Sequence, residues 1–269
     1  MADAGVAASV GVRSRFDAVR ARHGEVLLVV GPPRTASTAL ARILWNHEQV
    51  GWYSHEPFEA TWYQSAGPER AAELLEAPSP VTDLGGRGTG ETLVVKEMTF
   101  QVGDAFPLLA ELATRPIVFL IRDPRLTIAS RMKVLRRSGR PEVFPRRESG
   151  WEDLARQLAY VRRERIPHVV VDSSDLRSSP HTVVPPLLDR LGLAFTPELL
   201  SWQSSEATGL SAVSGSDDPF YQRVLGSSGI EPPAERLPDL AEFPADGGFR
   251  QHVAECVTQY EELRPSRGL

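Results

Sequence analysis

Two apolar runs stand out along the chain, Val26 to Val30 and Ile117 to Ile121, neither interrupted by a polar residue. The first is β-branched at three of its five positions. Continuous apolar runs of this length, bounded by turn residues, predict strands buried on both faces. Shorter runs, Val50 to Tyr53, Leu93 to Val95 and Val169 to Val171, predict three more strands. Between them the apolar positions change to helical spacing, as at Leu40, Ile43 and Leu44, or Leu154, Leu158 and Val161. Helices are predicted from about Val12 to Arg22, Pro68 to Glu76, Asp104 to Ala113, Trp151 to Arg165, Thr182 to Leu191 and Phe249 to Leu263. A further helix opens on Asp123-Pro124, an N-cap followed by proline at the first helical position, and runs to about Arg137. Gly192 reads as a helix C-cap. Strands alternating with helices predict an α/β fold with a central parallel sheet of about five strands, helices on both faces and right-handed crossovers. No linker separates two cores. Residues 1–24 therefore read as a tail and short helix, and residues 25–269 as a single domain.

Composition narrows the class. The apolar fraction is 41% and the charged fraction 24%, both ordinary for a globular protein. A net charge of −5 provides no global field for nucleic acid or an anionic membrane, so any anion site is local. The single cysteine, Cys256, excludes an intramolecular disulfide and a multi-cysteine metal site, and fits a reducing cytoplasm. The N-terminus carries Asp3 and no sustained apolar run, so it does not read as a signal peptide. No stretch approaches the roughly 20 apolar residues that span a bilayer. Lys96 and Lys133 are the only lysines among 30 basic residues, a bias that fits a high-GC bacterial genome.

The chemistry sits at predicted strand ends, where parallel α/β sheets bind ligands. Gly31-Pro32-Pro33 stops the first strand, and Arg34-Thr35-Ala36-Ser37-Thr38 leads into the next helix. Strand, tight loop and helix N-terminus form a phosphate cradle, with free backbone N–H groups and the positive helix end aimed at one point. The loop departs from the nucleotide-triphosphatase pattern G-x-x-x-x-G-K-[ST]. Gly31 and Thr38 fit, Ala36 replaces the second glycine, Ser37 replaces the lysine, and the cation stands earlier, at Arg34. The second strand leads into Ser54-His55-Glu56-Pro57-Phe58, the third into Lys96-Glu97 and the fourth into Arg122-Asp123. Pro57 holds Glu56 out of helical geometry. His47 reads as a helix cap or surface residue. The Gly85-Gly86-Arg87-Gly88 loop fits either an acceptor-site cover or a surface insertion.

Pro33 to Thr38 resembles the phosphosulfate-binding loop of the sulfotransferase family, Pro-[Lys/Arg]-[Ser/Thr]-Gly-[Ser/Thr]-Thr, with Ala36 in place of glycine. A second family signature, an arginine at a later strand end and a serine eight residues on, is matched by Arg122 and Ser130. Asp175-Leu176, Pro180 and Leu191-Gly192-Leu193 match a third, weaker pattern. The resemblance covers roughly residues 25–195 and implies a P-loop nucleotide-kinase-like sulfotransferase fold. It also implies a 3′-phosphoadenosine 5′-phosphosulfate (PAPS) donor, 3′-phosphoadenosine 5′-phosphate (PAP) as product, and no required metal. Pro33, Arg34, Thr35, Ala36, Ser37 and Thr38 would cradle the 5′-phosphosulfate, while Arg122 and Ser130 would hold the 3′-phosphate. Ala39 stands where cytosolic members carry a stacking tryptophan, and Ser173 and Ser174 stand where tyrosine and glutamate often lie. Arg250 is a further basic residue in the region from which relatives reach the 3′-phosphate.

Sulfuryl transfer needs the growing charge on the leaving oxygen stabilised, an in-line acceptor, and a base for the acceptor's proton. Arg34 and the loop N–H groups meet the first need. Lys96 either assists at the bridging oxygen or pairs with Glu97 or Glu56. Glu56-Pro57 matches the base of carbohydrate and some bacterial members, which implies a small-molecule acceptor with an alcohol or sugar hydroxyl. His55 is the second candidate base. A P-loop kinase, or a nucleotide-binding protein without catalysis on the same fold, are the rival readings.

Overall fold

Strand β1 (Val26–Gly31) lies at the middle of the sheet and divides the core by simple alternation. Val26, Leu28 and Val30 pack on one face, while Leu27 and Val29 pack on the other. Both faces are apolar because helices cover both, as an interior parallel strand requires. The computed structural model describes residues 2–204, 210, 220, 221, 224 and 226–264. Its sheet contains β1, β2 (Val50–His55), β3 (Ser79–Pro80), β4 (Thr92–Met98), β5 (Ile117–Ile121) and β6 (His168–Asp172). They run in the order β3-β2-β4-β1-β5-β6.

Every neighbouring pair is parallel except β2–β3, which is antiparallel. The sheet thus has six strands where about five are expected. The extra one is the two-residue edge strand β3, too short to leave a periodic signal in the sequence. From β1 the chain crosses to β2 on one side of the sheet, and from β4 it jumps over β1 to β5. That reversal puts the switch point, where α/β sheets open a crevice, at the carboxyl end of β1.

On one face lie α1 (Ala2–His23), α4 (Pro68–Glu76), α6 (Phe106–Leu112) and α8 (Trp151–Arg163). The other face carries α2 (Ser37–Trp45) and α10 (Pro180–Arg190). Between these come α3 (Glu59–Tyr63), α5 (Thr99–Val102), α7 (Pro124–Arg137), α9 (Ser173–Ser178) and, at the end, α11 (Phe249–Leu263). Helix α1 starts at Ala2, ten residues before the expected Val12, in an alanine-rich stretch of high helix propensity. Its Val12, Phe16 and Val19 are buried in the same core as β1, so this segment packs onto the domain. The segment expected as one helix from Asp104 begins as the 3₁₀ turn Gly103–Ala105 before α6. The tail read as loop-rich from Thr196 falls partly outside the described residues. No helix among the described residues is long and apolar enough to cross a membrane.

Two expectations are corrected. His47 is neither a bland cap nor a surface residue: it is buried, and its Nε2 lies 3.1 Å from the Ala194 carbonyl, tying the end of α2 to the loop after α10. The glycine loop at 85–88 is threaded against the backbone at Trp45, His47 and Val50, away from the strand ends that carry the site. Arg87 reaches the Glu198 carbonyl at 2.6 Å. The insertion reading holds and the acceptor-cover reading does not.

The loop after β1 shows why the family pattern favours glycine at position 36. Ala36 caps α2 in the left-handed region, with φ 60°, and Arg34 two residues earlier is also left-handed, with φ 66°. A non-glycine residue there costs roughly 1–2 kcal/mol. The loop rests on Gly150, itself at φ 79°, where a Cβ would lie 2.5 Å from Thr99 Oγ1 and 3.0 Å from both Pro32 Cα and Pro33 Cδ.

Opposite effects on stability are therefore expected at these two positions. Ala36→Gly relieves backbone strain and stabilises the fold by about 1 kcal/mol, net of the glycine's extra unfolded-state entropy. Gly150→Ala adds both strain and overlap and destabilises it by about 1–3 kcal/mol. Urea denaturation of the two variants beside the parent checks both signs; a destabilised Ala36→Gly would contradict the strain argument.

Candidate active site

Four strand ends deliver charged side chains to one cavity of about 380 Å³. Its lining includes Pro33, Arg34, Ala36, Ser37 and Thr38 from the loop after β1, with Arg122 and Ser130 from β5 and α7. Glu56 and Lys96 complete it from β2 and β4. Thr35 is the exception within the loop: it is fully buried, and its hydroxyl donates to the Pro32 carbonyl at 2.8 Å. Its side chain shapes the loop, and the residue does not line the cavity. No side chain caps the first turn of α2, so that turn is available as an anion cradle. Two residues of the loop, Arg34 and Ala36, are left-handed, a conformation that anion nests use.

The two arginine motifs meet. Arg34 Nε donates to Ser130 Oγ at 3.2 Å, and Arg122 Nη1 to the Arg34 carbonyl at 3.4 Å. Arg34 Nη1 also donates to the Phe220 carbonyl at 2.7 Å. Local sequence explains the placement. Asp123 accepts from Arg125 N at 2.9 Å as the N-cap of α7, and Pro124 fits its first position. The helix start therefore fixes Arg122 just outside the end of β5, and Ser130 lies further along the same helix.

Beside this junction Glu235 receives Arg122 Nη2 at 3.2 Å and Arg177 Nη1 at 3.2 Å, both on Oε2. Burial alone would raise the Glu235 pKa, but the charges of Arg122 and Arg177 outweigh it and bring it down to about 2. Arg250 spends its guanidinium on the carbonyls of Phe243 and Ala241, at 2.9 and 3.2 Å, and does not line the cavity.

Glu56, just after β2, is fully buried, at φ 46°, with its N–H bonded to the Lys96 carbonyl at 2.7 Å. Its carboxylate accepts from Lys96 Nζ, from Gln101 Nε2 at 2.9 Å and from the Tyr221 hydroxyl at 2.6 Å. His55 Nε2 lies 3.3 Å away. Burial would raise the Glu56 pKa, yet the Lys96 ammonium first and then His55 hold it well below the carboxylate range. Of the two partners open to Lys96, Glu56 is the one it takes.

Glu97 instead accepts the backbone N–H groups of Phe58 at 2.8 Å and Met98 at 2.7 Å. Burial, and next the Glu56 charge, push its carboxyl up. His55 does not line the cavity. Its Nδ1 meets the Tyr53 hydroxyl at 2.5 Å, and its ring packs edge-on to Tyr221.

Four residues in these contacts were not singled out from sequence: Gln101, Arg177, Tyr221 and Glu235. Gln101 follows Lys96 by five residues in the short helix α5, and Arg177 follows the Asp175-Leu176 pair directly. Both lie near motifs already noted. Tyr221 and Glu235 come from the long C-terminal connection, where no periodicity or motif marks them. Among the described residues no group of three or more His, Cys, Asp or Glu side chains is arranged to hold a metal ion.

Residues 26–246 match the family model described as a sulfotransferase domain. Among solved structures, the sulfotransferase domain from the curacin biosynthetic pathway is 17% identical, with a TM-score of 0.51 over 87% of this chain and 98% of that one. The sulfotransferase domain of the Synechococcus PCC 7002 olefin synthase is 16% identical, with a TM-score of 0.53 over 88% and 94%. A sulfotransferase from Alicyclobacillus acidocaldarius is 14% identical, with a TM-score of 0.50 over 91% and 96%. These likenesses are of fold. No curated protein matches the chain.

The Glu56–Lys96 pair generates a pH prediction. A depressed folded-state pKa contributes stability above the unfolded value near 4.5 that is lost as pH falls through the folded value. Lys96→Met removes the main opposing charge, leaves burial dominant and turns the Glu56 shift upward. The variant is expected to lose about 3–5 kcal/mol near pH 7, as for a buried pair deprived of one partner. Part of that loss returns as pH is lowered and Glu56 takes a proton. Denaturation curves from pH 5 to 8 check it; a pH-independent loss would mean that Lys96 acts through packing alone.

Proposed function

Because the chain belongs to the sulfotransferase domain family, we propose that it transfers the sulfuryl group of PAPS to the hydroxyl of a small molecule. The observation that carries this reading is the Arg34 Nε–Ser130 Oγ hydrogen bond at 3.2 Å. It joins the loop after β1 to the motif after β5 in one cavity, so that one ligand with phosphates at both ends can touch both. The residues fit such a ligand. Arg122 and Arg177 already hold an anion, the Glu235 carboxylate, and the first turn of α2 is uncapped.

PAPS supplies an activated sulfuryl group whose bridging oxygen leaves with the 5′-phosphate. Arg34, the loop N–H groups and the start of α2 stabilise charge at that end. Ser37 and Thr38 add hydroxyl donors. Arg122 and Ser130 bind the 3′-phosphate through charge-assisted and hydroxyl hydrogen bonds. At the far end Glu56 accepts the acceptor's proton.

A carboxylate held as acidic as Glu56 is a poor base. Its basicity depends on Lys96, whose ammonium pairs with Glu56 and lines the same cavity. Negative charge building near the loop draws Lys96 toward it and raises the proton affinity of Glu56 at the moment the acceptor hydroxyl gives up its proton. Lys96 so serves in turn to keep the base ionised and to stabilise the leaving oxygen. His55 supports Glu56 from behind and does not itself face the cavity. The small-molecule acceptor, an alcohol or sugar hydroxyl, sits beside Tyr63, Met98 and Gln101 at the Glu56 end.

Two measurements test this. PAP is expected to bind at least tenfold more tightly than 5′-AMP, since a lost charge-assisted contact is worth about 1.5–3 kcal/mol. Arg122→Ala removes most of that difference. ATP with Mg²⁺ in place of PAP gives a smaller thermal shift, whereas the reverse order would point to a kinase. In turnover assays with labelled PAPS across candidate hydroxyl compounds, Glu56→Gln lowers turnover by about 10²–10⁴-fold with PAP affinity nearly unchanged. His55→Ala lowers it less. A collapse in His55→Ala beside near-parental Glu56→Gln would move the base to the histidine.

A further inference from the structure

Arg122 and Arg177 approach from different elements, the end of β5 and helix α9, yet their Nη atoms meet the same oxygen. Glu235 Oε2 lies 3.2 Å from Arg122 Nη2 and 3.2 Å from Arg177 Nη1. Both guanidiniums are nine-tenths or more buried, while the Glu235 side chain is 34% exposed. Residues 231–239, which carry it, have no helix or strand and include Pro232 and Pro233. The three side chains line the same cavity as Arg34 and Ser130.

A single carboxylate oxygen is shared by two buried cations. A phosphate dianion at the same point would cancel both, and its planar oxygen pairs suit two guanidinium forks.

We propose that Arg177 is a second guanidinium of the 3′-phosphate subsite and that Glu235 is its internal placeholder, a carboxylate that an incoming phosphate dianion displaces. This rests on the PAPS reading of the cavity. It assigns a role to Arg177, where Arg250 at the C-terminal end is committed to the Phe243 and Ala241 carbonyls. The arginines stay buried and the exposed acid exchanges, because moving a third-exposed carboxylate to water costs far less than moving two buried cations. The displaced carboxylate also takes a toll on affinity. A seat filled about nine-tenths of the time weakens apparent binding of the dianion about tenfold.

Calorimetric titration of PAP and of 5′-AMP into the parent and its variants, at one ionic strength, tests the proposal. Glu235→Gln is expected to bind PAP up to about tenfold more tightly with 5′-AMP affinity unchanged, since 5′-AMP has no 3′-phosphate to compete for the seat. Glu235→Asp, which keeps the charge and shortens its reach, shifts the same way by less and serves if the glutamine variant folds poorly. Arg177→Gln loses at least tenfold in PAP affinity and little in 5′-AMP affinity, and Arg177→Lys recovers part of the loss.

Unchanged or weaker PAP binding by both Glu235 variants overturns the placeholder. Equal loss of both ligands in Arg177→Gln overturns the subsite role and makes Arg177 structural. If the parent prefers PAP and Arg122→Ala abolishes that preference while the Arg177 and Glu235 variants bind like the parent, this inference alone fails. If the parent does not distinguish PAP from 5′-AMP, the cofactor reading fails and takes this inference with it.

Discussion

A cavity lined by buried cations is a liability unless anions or carbonyls meet them. Buried guanidinium and ammonium groups cost several kcal/mol each unless their charge is met. Here the chain meets it from within. Lys96 and Tyr221 converge on Glu56, Arg122 and Arg177 share Glu235, and Arg131 pairs with Glu148. Arg34 takes the Phe220 carbonyl and Ser130. The described residues of the C-terminal connection meet these groups through polar contacts. Its residues Phe220, Tyr221 and Glu235 each supply an oxygen to a cavity cation or to that cation's partner.

The sequence shows some of these features and conceals others. Val26 to Val30 and Ile117 to Ile121 announce their strands because an interior parallel strand must be apolar on both faces, which leaves an unbroken run. The helix over Pro124–Arg137 has the predicted bounds because its N-cap and first proline are local chemistry. The loop after β1 and the Arg122–Ser130 spacing are local for the same reason. β3 is hidden by its length, and the early start of α1 by the absence of a stripe to read; alanine propensity shapes it more than periodicity does.

The remaining site residues depend on distance in sequence. Glu235 reaches Arg122 from 113 positions away and Tyr221 reaches Glu56 from 165. Nothing within either one's own neighbourhood marks it, since a glutamate in a proline-containing loop is ordinary surface composition. Arg177 lies next to a recognised pair, but its meaning appears only when the sheet brings β6 beside β5. His47 misleads in the opposite direction. A histidine at a helix end normally reads as a solvated cap, whereas here it is buried and meets the chain returning at Ala194.

The adjacent residues Lys96 and Glu97 show how strand geometry divides the chemistry. Successive side chains of a strand point to opposite faces, so Lys96 and Glu97 enter different environments from one backbone. Lys96 turns to Glu56, and the ammonium keeps that carboxylate ionised. Glu97 turns to the backbone N–H groups of Phe58 and Met98, pinning the segment that follows Glu56-Pro57, while burial and the Glu56 charge raise its own proton affinity. Two buried carboxyls near one lysine are thereby pushed in opposite directions. The left-handed backbone at Glu56 belongs to the same arrangement. Its N–H reaches the Lys96 carbonyl at the end of the parallel pairing, and Pro57 and the Glu97–Phe58 hydrogen bond fix the turn from the other side. The strained residue is held by contacts on both flanks, as a left-handed non-glycine residue requires.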